Sequence, residues 1–465
     1  MFTFAGKLHI NNFSCIMANV IKIKKGLDIN LKGKASDVLL NGGKSDSYAI
    51  VPDHYNGIVP KVVAKVGEKV KAGSVLMIDK NRPEIKFVSP VSGEVTAVNR
   101  GEKRKVLSVV VKPEAQIEYE DFGKKNVASL KREEVKEAIL HAGMWPFIKQ
   151  RPYDIVASPA DEPRDIFVSA FYSAPLAPNF DFIVKGQEAD FQAGLDALAK
   201  LTDGKVYVGI RKGSSVSVKG VETVEVEGPH PAANVGVQIN HIKPINKGEV
   251  VWTVNPADVI IIGRLFNKGV ADFGRLVVIT GSETTERGYI KTIAGCTISS
   301  LVDGKIMNGN EDIRIISGNV LSGTKVMKDD YLGAYDNQIT VIPEGDETHD
   351  FLGWATPGFG KFSVSHSFPA WLMGKNKEYV IDARIKGGKR AMIMSNEYDK
   401  VFPMDIMPEY LLKAIIAFDI DKMENLGIYE VAPEDFALCE FVDTSKLEIQ
   451  KIVRQGLDLL YKEMN

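Results

Sequence analysis

The chain has 465 residues, 45% of them apolar and 25% charged, and a formal net charge of −2. Those figures fit an ordinary folded protein of about three or four domains, and the near-neutral balance gives no electrostatic reason to expect DNA or RNA as a partner. Three scattered cysteines, Cys15, Cys296 and Cys439, point to a reducing compartment without a disulfide framework. No stretch reaches the roughly 18 uninterrupted apolar residues of a spanning helix, so any membrane role is expected to come through a partner.

The first sixteen residues, MFTFAGKLHINNFSCI, lack the contiguous apolar run and cleavage site of a signal peptide. They read either as an extension upstream of a true start at Met17 or as a short arm. From Ile21 to about Pro113 short apolar–polar alternations are broken by glycines, the signature of strands and turns. Pro60–Asp79 and Lys86–Val98 are the densest part, with Gly67, Gly73, Pro90 and Gly93 at the corners. This pattern resembles the barrel-sandwich hybrid of lipoyl and biotinyl domains. Asp79–Lys80 falls where such domains carry their modified lysine, so a carrier lysine and a plain hairpin are both readings of that turn.

A helix is expected next, with Ser129 as N-cap, Glu133 and Glu134 at its positive end, His141 in its last turn and Gly143 as its stop. Strand and helix then alternate from Asp154: Ile166–Phe171, a helix with Phe191, Leu195, Leu198 and Thr202 on one face, Lys205–Ile210, and Val221–Val226. That order predicts an α/β layer with a partly parallel sheet. A dinucleotide site would need a glycine-rich turn between a strand and a helix. Gly209–Gly213 comes nearest, but it leads into SSVSVKG, and a β-turn is the better account.

Gly228–Pro244 (GPHPAANVGVQINHIKP) is punctuated by proline and glycine and reads as a shaped loop against a neighbouring domain or another protein chain. Its His230 and His241 find no third or fourth ligand at metal spacing. From Gly274 to about Val341, RLVVITG, RGYIKTI, ISSLVDG and IRIISGNVLSG read as short strands and turns of a β-grasp module. The loop Leu352–Ser367 mixes Trp354, Phe359, Phe362 and His366 with glycines; it is either a contact surface for an apolar partner or quinone, or core packing. The remainder is helical, with Pro408 in a first turn and an amphipathic helix over Leu447–Met464.

IKIKKGLDI (Ile21–Ile29), FVSPVSGEV, NRGEKRKVLSVVV, GPHPAANVG, VWTVNPADVIIIGRLF, IRIISGNVLSG and FPMDIMPEYLL are long, idiosyncratic phrases. They resemble the A subunits of sodium-translocating NADH:quinone reductases over nearly the full chain from Met17. The family is similar in turn to the cytosolic C subunit of the Rnf complex and to the NADH-binding flavoprotein of respiratory complex I. The resemblance implies a multidomain α+β fold: a barrel-sandwich hybrid over 17–125, a Rossmann-like α/β domain over 126–273, and a β-grasp domain of soluble-ligand-binding type over 274–345. A mainly helical region with a degenerate ferredoxin-like segment would follow over 346–465, with 1–16 as an extension.

Where cluster-binding relatives carry several cysteines, this chain has Cys439 alone, and one thiolate cannot hold a [4Fe–4S] cluster. The resemblance therefore implies a peripheral, cytoplasmic-side component of a bacterial inner-membrane sodium pump, with no catalytic residue, metal or cofactor of its own. FAD, FMN, riboflavin and iron–sulfur centres would sit on five companion subunits, some of them membrane-spanning. Quinone or partner contact would fall to His230, Trp354, Phe359 and His366. The competing expectation is an autonomous flavin- or NADH-binding oxidoreductase.

Overall fold

The computed structural model describes residues 20–42, 44–307, 312–346, 358, 360–365, 368–374 and 376–464. Its centre is a seven-stranded sheet in the spatial order Val20–Lys22, Glu222–Glu227, Val206–Arg211, Ile166–Ser169, Val251–Val254, Ile148–Arg151 and Ile155–Val156. The first five strands are parallel; Ile148–Arg151 runs antiparallel to Val251–Val254 and closes that edge with Ile155–Val156.

Alternation along each strand sends neighbouring side chains to opposite faces. Ile166, Val168, Trp252 and Val254 join one apolar core, while Phe167 and Val251 join the other. Helices Glu188–Lys200 and Pro256–Lys268 cover the first face. They cross where Gly194 meets Gly263: a Cβ on Gly263 would lie 1.7 Å from the Asp190 carbonyl, so only glycine permits that approach.

The second face is covered by helix Val235–Ile242 and by the C-terminal helices Pro408–Ile416 and Ile449–Met464, through Val237, Ile239, Leu411, Ile415, Leu457 and Leu460. Val235–Ile242 lies inside the segment expected to be an irregular loop. The prolines and glycines of that segment sit mainly before it, and Val237 and Ile239 give the chain a face to bury.

The expected barrel is formed by a four-stranded and a three-stranded sheet: Tyr48–Ile50, Val106–Pro113, Gly93–Arg100 and Lys69–Val70, and Pro60–Val62, Val75–Asp79 and Lys86–Val88. The first strand among the described residues lies outside it: Val20–Lys22 extends the α/β sheet beside Glu222–Glu227. Leu39–Leu40 likewise adds an edge to the β-grasp sheet beside Gly288–Ile293. That sheet has six strands, with Gly274–Thr280 and Gln338–Pro343 parallel at its centre. ISSLVDG is not a strand; Ser299–Val302 is a helical turn that buries the adjacent Leu301 and Val302 together.

Helix Arg132–His141 begins later than Ser129. Ser129 instead closes a short 3-10 turn capped by Asn126, and the Glu134 carboxylate accepts from the Lys131 N–H at 2.8 Å. The stop is as expected, with Gly143 left-handed at φ +68°. No helix among the described residues is long and apolar enough to cross a membrane.

A buried ion pair fixes the seam between the α/β and β-grasp layers. Arg275, on strand Gly274–Thr280, donates to the Asp258 carboxylate at 3.0 Å, and both side chains are 1% exposed. Removing one partner strands a buried charge. Asp258→Ala is expected to lower the free energy of urea unfolding by about 3 kcal/mol. Asp53→Ala, which breaks an exposed pair with Lys105, should cost less than about 1 kcal/mol. Equal effects would contradict the assignment of the seam.

Candidate functional site

The direction of winding reverses beside strand Ile166–Ser169. Helix Glu188–Lys200 leads from it to Val206–Arg211 across one face, and helix Val235–Ile242 leads to Val251–Val254 across the other. In open α/β sheets ligands bind in the crevice outside the carboxyl ends of the strands at such a switch point. A cleft of about 590 Å³ opens there, beyond Ser169 and Val254. The barrel contributes Asp53 and His54, the β-grasp layer Tyr335 and Asn337, and the C-terminal region Glu434 and Arg454.

One wall is ionic. Arg151, 1% exposed, donates to Asp435 at 2.8 Å, to Glu434 at 3.2 Å and to the Glu430 carbonyl at 2.8 Å. Arg454 of the last helix donates to the carbonyls of Tyr153 at 2.7 Å and Asp154 at 3.2 Å. These bonds hold the turn in which Tyr153 and Asp154 are both left-handed. Lys149 Nζ lies 3.8 Å from Asp154 and 4.3 Å above the Tyr335 ring. Burial works against the Asp154 carboxylate, but Lys149, Arg151 and Arg454 together hold its pKa below the usual range.

The opposite wall is neutral. Tyr172 donates to Asn255 Oδ1 at 3.0 Å and accepts from Asn337 Nδ2 at 3.1 Å; Asn337 Oδ1 is buried without a protein partner. His230 lines the same cleft, 5% exposed, with Nδ1 3.0 Å from Ser173 Oγ and its backbone N–H donated to Asp28. Burial pushes its pKa down to about 4, so the ring is neutral at pH 7. His241 faces elsewhere, its Nδ1 2.9 Å from the Val237 carbonyl one helical turn back.

At the two places where a dinucleotide phosphate could meet donors at a strand-to-helix turn, those donors are engaged within the chain. The helix that starts at the cleft, Pro256–Lys268, opens with a proline that has no N–H to offer. Its next donors are taken by Asn255: Oδ1 accepts from Ala257, and the carbonyl accepts from Asp258 and Val259. Asp258 in that first turn is committed to Arg275. In the Gly209–Gly213 region, Arg211 donates to the Tyr172 carbonyl and Lys212 pairs with Glu227. Just beyond, Ser214 Oγ and the Ser215 N–H and Oγ all donate to Asp181. These donors are thus occupied by the chain's own carboxylate, amide and carbonyl oxygens.

Of the other expected positions, Trp354, Phe359 and His366 lie outside the described residues. Phe362 packs edge-on against Tyr379 and beside Phe441, as core packing requires. Lys80 follows Asp79, whose buried carboxylate accepts from Val59 N, Asn81 N and Arg82 Nε. Arg82 also donates to the carbonyls of Gly57 and Val156, pinning the hairpin to the α/β body. Cys439 is buried in helix Ala437–Val442, where burial pushes its thiol well up. Cys296 is likewise buried. Among the described residues no group of three or more His, Cys, Asp or Glu could hold a metal.

Fold and cleft together define a protein of barrel-sandwich hybrid, α/β and β-grasp layers that meet around a nucleotide-type crevice. The chain belongs to the NqrA family, the A subunits of Na(+)-translocating NADH-quinone reductases. Residues 21–114 match the NqrA N-terminal barrel-sandwich hybrid domain, 130–271 the NqrA second alpha/beta domain and 276–328 the NQRA C-terminal domain. The A subunits of this reductase from Neisseria meningitidis serogroup C, Neisseria gonorrhoeae (strain NCCP11945) and Vibrio anguillarum are 36%, 37% and 38% identical over 450 residues. Each comparison covers 96% of this chain and 100% of the relative. The crystal structure of an NAD+-reducing nickel–iron hydrogenase in the H2-reduced state aligns over 46% of this chain and 47% of its own. At 12% identity and a TM-score of 0.33 that likeness is too slight to inform the site.

The buried neutral His230 makes stability depend on pH. Its folded pKa, about 4, lies below the ordinary 6.5, so the unfolded chain takes up a proton first. The stabilisation is full above pH 6.5 and is lost as pH falls toward 4. Between pH 7 and 5 this group should remove about 2 kcal/mol from the unfolding free energy. His230→Asn should flatten that part of the profile; identical pH slopes for the two proteins would contradict it.

Proposed function

We propose that this chain acts as the A subunit of a Na+-translocating NADH:quinone reductase, a complex enzyme in which NADH oxidation and quinone reduction drive sodium transport. Its own part is to hold and orient redox partners rather than to carry electrons. The observation that carries the second statement is the internal use of the groups a nucleotide would need: Asn255 and Pro256 at the helix start, and Asp181 on Ser214 and Ser215. The first rests on likeness over the whole length of the named relatives.

In this reading the flavins and iron–sulfur centres belong to five companion subunits, membrane-spanning ones included, and the chain sits at the cytoplasmic face of the inner membrane. Its cleft, with His230 on the neutral wall, faces the quinone-side partner. The pinned hairpin at Asp79–Arg82 favours a structural turn over a swinging lysine arm.

The test is affinity purification of the tagged chain from gently solubilised native membranes. Five companion subunits should be recovered with it, and the intact mass should show an unmodified Lys80. Recovery of the chain alone would contradict the complex; a lipoyl or biotinyl mass increment would contradict the structural reading of the hairpin.

A further inference from the structure

Residues 383–396 (ARIKGGKRAMIMSN) carry four cations and no acid, in a chain of net charge −2. The strip is mostly exposed. Arg390 N donates to the Ser445 carbonyl, and Ser395 and Asn396 donate to Glu409, so it leads to the head of helix Pro408–Ile416. That helix is apolar on two sides. Leu411, Leu412 and Ile415 face the core, whereas Met407, Tyr410 and Ile416 face out with Lys413 among them. Phe418, left-handed at φ 55° just past the helix, is 72% exposed. Ile385 and Ile393 of the strip are 62% and 52% exposed.

Asp382 pairs with Arg384 and Lys386, and Glu448 pairs with Lys389 and Lys451. Among the described residues no carboxylate lies within ion-pair distance of Arg390 or Lys413. A helix apolar on both sides calls for a cover. The core of a protein interface is depleted of lysine, whereas a lysine set between exposed apolar side chains suits the headgroup boundary, where its stem lies in the apolar zone and its ammonium in the polar one.

We propose that the strip Ile385–Met394 and the outer side of Met407–Phe418 dock together on the surface of an anionic phospholipid bilayer. Phe418, Tyr410, Met407 and Ile393 enter the interface, while Arg390 and Lys413 meet lipid phosphates. The proposal builds on the reading of the chain as a peripheral member of a membrane complex, and adds a direct lipid contact to it.

The test is flotation of the isolated full-length chain with vesicles of phosphatidylcholine alone or mixed with phosphatidylglycerol, so the outcome does not depend on recovering companion subunits. The chain should float with the mixed vesicles only, and salt at about 0.5 M should release it. Arg390→Glu with Lys413→Glu should weaken association by about tenfold or more. Ile393→Ser with Phe418→Ser should also weaken it, with the circular dichroism spectrum unchanged. Absence of flotation, or equal flotation of all variants, would overturn the proposal. So would variants that lose companion subunits while the unaltered chain ignores vesicles, because the face would then belong to a protein partner.

Discussion

A parallel sheet leaves two apolar faces that must both be covered, and the rest of this structure depends on how that is met. Local helices Glu188–Lys200 and Pro256–Lys268 cover one face. The other is covered by helix Val235–Ile242 together with residues from the two ends of the chain: Ile23, Ile29 and Leu31 near the start, and Leu411, Ile415, Leu457 and Leu460 near the end. Buried Arg151 fixes the C-terminal part by reaching Asp435, Glu434 and the Glu430 carbonyl together. Such a pair is costly to desolvate and more costly to break, so it specifies one arrangement more than it adds stability.

That arrangement makes the cleft. The switch point of the sheet would be an open groove, but Arg454, Glu434, Asn337 and His54 arrive from other layers and turn it into a walled site. The same closure accounts for its chemistry. Carboxylates and carbonyls of this chain occupy donors that other α/β proteins turn toward phosphate, at Asp181 and at Asn255. Fold alone is poor evidence for a nucleotide enzyme, and here the donors at both turns are taken by the chain's own oxygens.

Much of the architecture was legible because it is local. The barrel turns, the buried face of Phe191, Leu195 and Leu198, and the inward Val224 and Val226 follow from period alone. The family followed from long phrases with no need of geometry. The helix start was misplaced because Asn126 and Glu134 divide the capping work that Ser129 was expected to do. ISSLVDG misled because a short apolar run suits a strand or a helical turn equally.

The site itself was hardly legible. His230 stood out because GPHP is unusual, but its cleft neighbours Lys149, Asn337, Glu434 and Arg454 come from four distant segments. Each is an ordinary polar residue in its own sequence context. The pairing of Val20–Lys22 with Glu222–Glu227 was equally hidden, since a parallel edge strand has no turn to announce its partner.

The proposed role has this chain keep the form of a nucleotide-binding protein without its chemistry. The most direct measurement is the visible spectrum of the purified full-length chain, followed by titration with FMN and with NADH monitored by ligand fluorescence. A colourless protein and no saturable change with either ligand are expected. A yellow protein with stoichiometric flavin, or saturable binding that a substitution at Asn337 or Tyr172 removes, would contradict it.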